Sequence, residues 1–217
     1  MIHKQLPELL RLVVITDSEL AKPAGLMNVI SECLRAGAGM IQLRDKAANA
    51  NELLNLASRI LPLTRSSGAL LIINDRLDVA IAAQADGVHL GPDDPQVADV
   101  RSTVSDAFII GYSTDDPILA KEAESQGANY IGCGAVYKTL NKFDAGKPIG
   151  VNGIKQMVNA ITIPVVAIGG IRPQNTAELL DVGASGVAVI EAIMNSTRPG
   201  LTTEQFLKYF PNPQANN

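Results

Sequence analysis

Polar residues in this chain gather at the exits of short apolar runs. Met40-Ile41 leads into Gln42-Leu43-Arg44-Asp45-Lys46, Leu70-Leu71-Ile72-Ile73 into Asn74-Asp75-Arg76, and Gly87-Val88-His89-Leu90 into Gly91-Pro92-Asp93-Asp94. Phe108-Ile109-Ile110 leads into Gly111-Tyr112-Ser113, Tyr130-Ile131 into Gly132-Cys133-Gly134, and Val165-Val166-Ala167-Ile168 into Gly169-Gly170. Gln42, Arg44 and Lys46 fall at i, i+2 and i+4, which on an extended strand puts them on one face with Leu43 on the other. Two cations and an amide at one strand end make a cradle for a small anion. Arg and Lys at a strand end can equally point to water. Gln42, however, interrupts an apolar run, where a buried amide needs partners.

Asn74 and Asp75 close the most apolar run of the chain, and Asp93-Asp94 close the next. Helix capping accounts for one of the first pair, and Asp94 before Pro95 fits an N-cap with proline at N1. Carboxylates from adjacent strand ends can also converge. Two of them without His or Cys suit a hard, oxygen-seeking ion, and Mg²⁺ is commonly held by one or two carboxylates plus substrate phosphates. Asp75 and Asp94 are the candidate ligands.

Gly169-Gly170 and the run from Gly186 to Ile190 close the last two strands. Such turns serve simple chain reversal, but in α/β barrels they also bind phosphate through backbone N–H groups. Thr139, Asn141 and Lys142 in the following long loop add a hydroxyl, an amide and a cation, and Ser113 adds one more hydroxyl. Two phosphorylated groups are implied, one near Arg44 and Lys46 and one near Gly170 and Ile190. His89, flanked by Val88 and Leu90, reads as structural, and His3 as outside the fold. Cys33 and Cys133 read as small buried apolar residues. No Ser/His/Asp or Cys/His constellation is present in the pattern. Chemistry driven by leaving-group stabilisation fits this set better than proton transfer.

Positioning these residues on one face requires parallel strands. β-Branched runs near 12–16, 39–44, 69–74, 87–90, 107–112, 129–133, 164–168 and 185–190 recur at the spacing of βα units. Between them, 26–36, 51–65, 116–126, 151–160 and 173–182 carry apolar residues at helical spacing. Pro173 and Gly183 bracket the last of these. The runs at 69–74 and 164–168 are apolar throughout, as strands buried on both faces must be. An open doubly wound sheet shares that feature, but eight strands favour an α/β (β/α)8 TIM barrel. With no composition break, residues 1–217 form one expected domain. Its core spans about 12–210, and a loose tail covers 211–217. The segment 137–149 is a candidate lid.

Hydrophobic content of 47% with 18% charged residues describes a compact globule. A net charge of −4 argues against nucleic acid or an anionic membrane as partner. Two cysteines are too few for a disulfide framework. The first ten residues lack a signal-peptide core, and no run approaches a membrane span. A reducing cytoplasmic setting is expected, and a homo-oligomer is compatible with it.

Gln42-Leu43-Arg44-Asp45-Lys46, Asn74-Asp75-Arg76, Asp86-Gly87-Val88-His89-Leu90-Gly91 with Asp94, and Ile168-Gly169-Gly170-Ile171 resemble thiamine-phosphate synthase in order and approximate spacing. The resemblance spans most of residues 12–193. It implies a (β/α)8 barrel that joins a hydroxymethylpyrimidine diphosphate to a thiazole phosphate and releases pyrophosphate. By position, Gln42, Arg44, Lys46, Asn74, Ser113 and Lys142 would hold the pyrimidine diphosphate. Of these, Arg44, Lys46, Ser113 and Lys142 would act on the departing diphosphate. Asp75 and Asp94 would hold Mg²⁺. Thr139, Leu140, Asn141, Gly170, Ile190 and Glu191 would line the thiazole-phosphate pocket. In the family pyrophosphate leaves first, and the thiazole nitrogen captures the pyrimidine cation.

Four positions depart from the family pattern. Pro92 stands for the usual Gln, Asn141 for the second Thr of Thr-x-Thr-Lys, Glu191 for a Ser, and Asp115 for a common His. Rival assignments are a thiazole tautomerase on the same barrel, another phosphate-binding barrel, and a non-catalytic thiamine-precursor binder. The tautomerase would want a His where Asp115 stands. The other phosphate-binding barrels would want an acid and base pair.

Overall fold

The apolar runs pair side by side in chain order. In the computed structural model, which describes residues 2–138 and 147–211, the strands are β1 (Leu12–Ile15), β2 (Met40–Leu43), β3 (Leu70–Asn74), β4 (Gly87–Leu90), β5 (Ile109–Ser113), β6 (Tyr130–Cys133), β7 (Val165–Ile168) and β8 (Gly186–Val189). All pair in parallel, and β1 meets β8 to close the barrel. The helices are α1 (Ile2–Leu9), α2 (Leu26–Arg35), α3 (Ala50–Ser67), α4 (Leu77–Ala82), α5 (Val97–Thr103), α6 (Pro117–Ser125), α7 (Gly150–Ala160), α8 (Thr176–Asp181), α9 (Glu191–Met194) and α10 (Pro199–Leu207). This is a single (β/α)8 TIM barrel.

Alternation along the strands divides the core in two. Leu12, Val14, Ile41, Leu43, Leu71, Ile73, Val88, Ile110, Ile131 and Val187 point outward and pack under the helices. Val13, Ile15, Met40, Leu70, Ile72, Ile109, Tyr130, Val166 and Ala188 point inward and fill the barrel. Both faces of each strand are therefore buried, which is why the runs are apolar throughout.

The core begins earlier than the expected boundary near residue 12. Leu6 and Leu10 pack into the inward cluster, and a Cβ on Gly186 would lie 1.8 Å from the Leu10 carbonyl oxygen. The end of α1 thus plugs the floor of the barrel. His3, expected outside the fold, belongs to that helix. A floor plug has no periodic partner within its own short segment, so residue pattern gave no sign of it.

Local chemistry sets the helix ends. Asn49 caps α3 with a full capping box through Glu52, and Gly68 ends the helix in the left-handed conformation. Asp116 caps α6 through the Ile118 amide, with proline following. Pro173 opens a 3-10 turn, Pro173–Asn175, before α8 and so does not start the α-helix itself. Among the described residues no helix is long and apolar enough to cross a membrane.

Candidate active site

Strand register decides which exits adjoin on the rim. Ile15 pairs with Gln42, Gln42 with Ile72, Asn74 with His89, and His89 with Gly111. The exits of β1 to β5 therefore stand in order. Arg44, just past β2, is placed by the exit of β1. The buried Thr16 hydroxyl donates to the Arg44 carbonyl at 2.9 Å and accepts from the Arg44 amide at 2.8 Å. Asp17 lies 3.9 Å from the guanidinium, and its other oxygen accepts from the Glu19 and Leu20 amides. Residue type did not single out Thr16 or Asp17. Their signal is the same apolar-to-polar exit, Val13-Val14-Ile15 into Thr16-Asp17.

Asp75 has φ 61°, in the left-handed region that Asp tolerates better than most residues. Its amide donates to the His89 carbonyl at 2.9 Å, and the Asn74 side-chain amide donates to its carboxylate. Asp94 closes the turn after β4 by accepting from the Gly91 amide at 2.7 Å. Neither acid caps a helix as sequence suggested. The N-cap of α4 is Arg76 and that of α5 is Gln96, both without side-chain caps. Released from capping, the two carboxylates meet. The protein packed around Asp75, then the charge and hydrogen bond of Asp94, push its pKa up to about 6, against the pull of Lys46 and Arg44. Two carboxylates held this way share a proton or take a cation.

Mg²⁺ fits this donor set. It needs only one or two protein carboxylates when water and phosphate oxygens complete its shell. Among the described residues no cluster of three or more His, Cys, Asp and Glu offers an alternative cage.

Gln42 is buried on the inward face of β2 and hydrogen-bonds the Tyr130 hydroxyl. Ser113 ends β5 with its Oγ 2.8 Å from His89 Nε2, and His89 Nδ1 lies 2.9 Å from the Tyr130 hydroxyl. His89 is buried, as a structural histidine would be, yet its partner is a candidate site residue. Gln42, an amide interrupting an apolar strand, was the sequence sign of this network.

On the far side of the rim, Ile168 pairs with Ala188, so the exits of β7 and β8 adjoin. Gly170 has φ 66°, and a Cβ there would lie 2.8 Å from the Lys138 carbonyl oxygen. Both features require glycine. Ile190 is the N-cap of α9, and Glu191 is its exposed first residue. Thr139, Leu140, Asn141 and Lys142 lie outside the described residues, as does most of the expected lid at 137–149. Tyr137, at the start of that segment, donates to the Glu178 carboxylate on α8.

The rim thus carries Arg44, Lys46 and the Asp75–Asp94 pair at one side and, at the other, the Gly169–Gly170 turn beside the start of α9. The model of the thiamine monophosphate synthase family matches residues 12–193. The thiamine-phosphate synthase of Chlorobium luteolum is 44% identical over 188 residues, covering 87% of each chain. That of Roseiflexus castenholzii is 42% identical over 190 residues, covering 88% of this chain and 83% of the other. The solved structure of thiamine phosphate pyrophosphorylase from Pyrococcus furiosus superposes with a TM-score of 0.86 at 39% identity, covering 94% of this chain and 96% of that one. Sequence and fold agree, and the chain belongs to the thiamine monophosphate synthase family.

Proposed function

We propose that this chain is a transferase of thiamine biosynthesis that joins a hydroxymethylpyrimidine diphosphate to a thiazole phosphate, forming thiamine phosphate and pyrophosphate. The observation that carries the proposal is the meeting of Asp75 and Asp94 beside Lys46 and Arg44. A carboxylate pair flanked by cations suits a metal-bound diphosphate. Relatives named as synthases cover most of this chain, whereas nothing favours the tautomerase or the non-catalytic binder.

Asp75 and Asp94 would hold Mg²⁺, which when bound would supply positive charge against the diphosphate. Arg44 and Lys46 bind the diphosphate oxygens, and the Thr16 and Asp17 contacts keep Arg44 in place. Gln42 and Asn74 orient the pyrimidine end. Ser113 and Lys142 donate to the leaving group. Charge that builds on the leaving oxygens is thereby met by donors already in position, which costs no reorganisation at the moment of bond cleavage. Thr139, Leu140, Asn141, Gly170, Ile190 and Glu191 would bind the thiazole phosphate, with the Gly170 and Glu191 amides as backbone donors. Two buried free cysteines, Cys33 and Cys133, suit a reducing cytoplasm.

Pyrophosphate release tests the proposal. The purified chain should release it, with matching thiamine phosphate, only when the pyrimidine diphosphate, the thiazole phosphate and Mg²⁺ are all present. Saturable binding of both substrates without product would refute the synthase.

A further inference from the structure

We infer that His89 and Tyr130 are positioning residues that fix the Ser113 hydroxyl as a hydrogen-bond donor toward the substrate's diphosphate, an inference that rests on the proposed binding of that group at Ser113. A continuous line of contacts crosses the barrel interior. It runs from the Gln42 side chain to the Tyr130 hydroxyl, from that hydroxyl to His89 Nδ1 at 2.9 Å, and from His89 Nε2 to Ser113 Oγ at 2.8 Å.

Each hydroxyl has one proton, so the polarity of the line is set as a unit. In one direction Gln42 donates to the Tyr130 oxygen, Tyr130 donates to Nδ1, and Nε2–H donates to Ser113. The Ser113 proton is then free to point into the site. In the other direction Ser113 donates inward to Nε2 and turns its lone pairs toward the site. Lone pairs facing an anion are unfavourable, and the group proposed to bind at Ser113 is an anion.

The barrel reserves room for this line. Tyr130 is 1% exposed, Gln42 4% and His89 8%, so their polar atoms need protein partners. A Cβ on Gly111 would lie 2.3 Å from Tyr130 Cζ and 2.4 Å from His89 Nδ1, and one on Gly132 would lie 3.1 Å from His89 Cε1. Glycine at both positions gives the two rings the space of the missing side chains.

The chain has two histidines, so a His3→Ala variant leaves His89 as the single imidazole in a nitrogen NMR spectrum recorded without substrate. The expected spectrum shows a protonated Nε2 and a bare Nδ1. Tyr130→Phe, which keeps the ring, should shift the imidazole toward its Nδ1–H form. It should also lower kcat about tenfold or more while changing KM for the pyrimidine diphosphate less. His89→Gln can present an amide near the place of Nε2 and should keep more of kcat than His89→Leu. An Nδ1–H imidazole in the parent overturns the polarity. Wild-type kcat in Tyr130→Phe, with an unchanged imidazole, overturns the positioning role. A chain that shows the Nε2–H imidazole but releases no pyrophosphate refutes the functional proposal instead, because the spectrum needs no turnover.

Discussion

At the scale of single residues, the Asp75–Asp94 pair is the most consequential contact. Asp75 holds its proton more tightly in the fold, its pKa pushed well above the ordinary carboxylate range to about 6. Metal-free stability contributed by this group is therefore largest at low pH and is lost as pH rises through that window. Asp75→Asn removes the penalty. In chelator its melting temperature should exceed the parent's at pH about 8, with a smaller gain at pH about 4.5. Added Mg²⁺ should stabilise the parent and leave the variant unmoved, and thermal melts across pH and metal check both. Asp75→Ala should fold yet lose Mg²⁺-dependent turnover, and near wild-type activity would refute its role. Arg44→Ala removes a charge-assisted contact worth roughly 1.5–3 kcal/mol. At about 1.4 kcal/mol per factor of ten, turnover should drop at least tenfold, and a drop below about threefold would contradict its place at the diphosphate. Residue type pointed to all these side chains. It did not separate capping from metal binding at Asp75 and Asp94, since both uses need a carboxylate just before a helix.

At the scale of elements, strand exits work in neighbouring pairs. Arg44 ends β2, but the exit of β1 holds its backbone through both hydrogen bonds of Thr16. Thr16→Val keeps the shape and leaves the Arg44 amide and carbonyl without that partner. It should cost about 1–3 kcal/mol of stability and lower activity, with Thr16→Ser restoring both, as denaturant unfolding and turnover would show. The strands and longer helices were legible because their apolar spacing is local. Thr16 was not, because its partner lies 28 residues away and a buried threonine looks like any β-branched strand residue. Short α4, α5 and α9 had too few turns to establish a helical period. The dual role of His89, structural by burial and linked to Ser113 by hydrogen bond, likewise needs two strands in register to appear.

At the scale of the whole molecule, closure of the barrel makes the interior a single packed space. Leu10, fully buried in the inward cluster, plugs its floor, so Leu10→Ala should cost about 2–5 kcal/mol. Denaturant unfolding measures that loss, and a cost under about 1 kcal/mol would mean that the floor is not a packed part of the core. Gly111→Ala should be as disruptive near the rim, because the new methyl meets Tyr130 and His89. The alternation of apolar strands and amphipathic helices determined the α/β class, the count of eight strands favoured the barrel over an open sheet, and the apolar-to-polar exits pointed to Gln42, Arg44, Lys46, Asn74, Asp75, Asp94 and Ser113 sharing one rim. Those are properties of period and order along the chain. Tertiary structure alone decided that Asp75 faces Asp94, that Thr16 and Asp17 seat Arg44, that α1 fills the floor, and that Gln42, Tyr130, His89 and Ser113 form one line. Each of these depends on register and on the angle at which distant strands meet, and no local pattern of residues encodes the distance between two atoms on different strands.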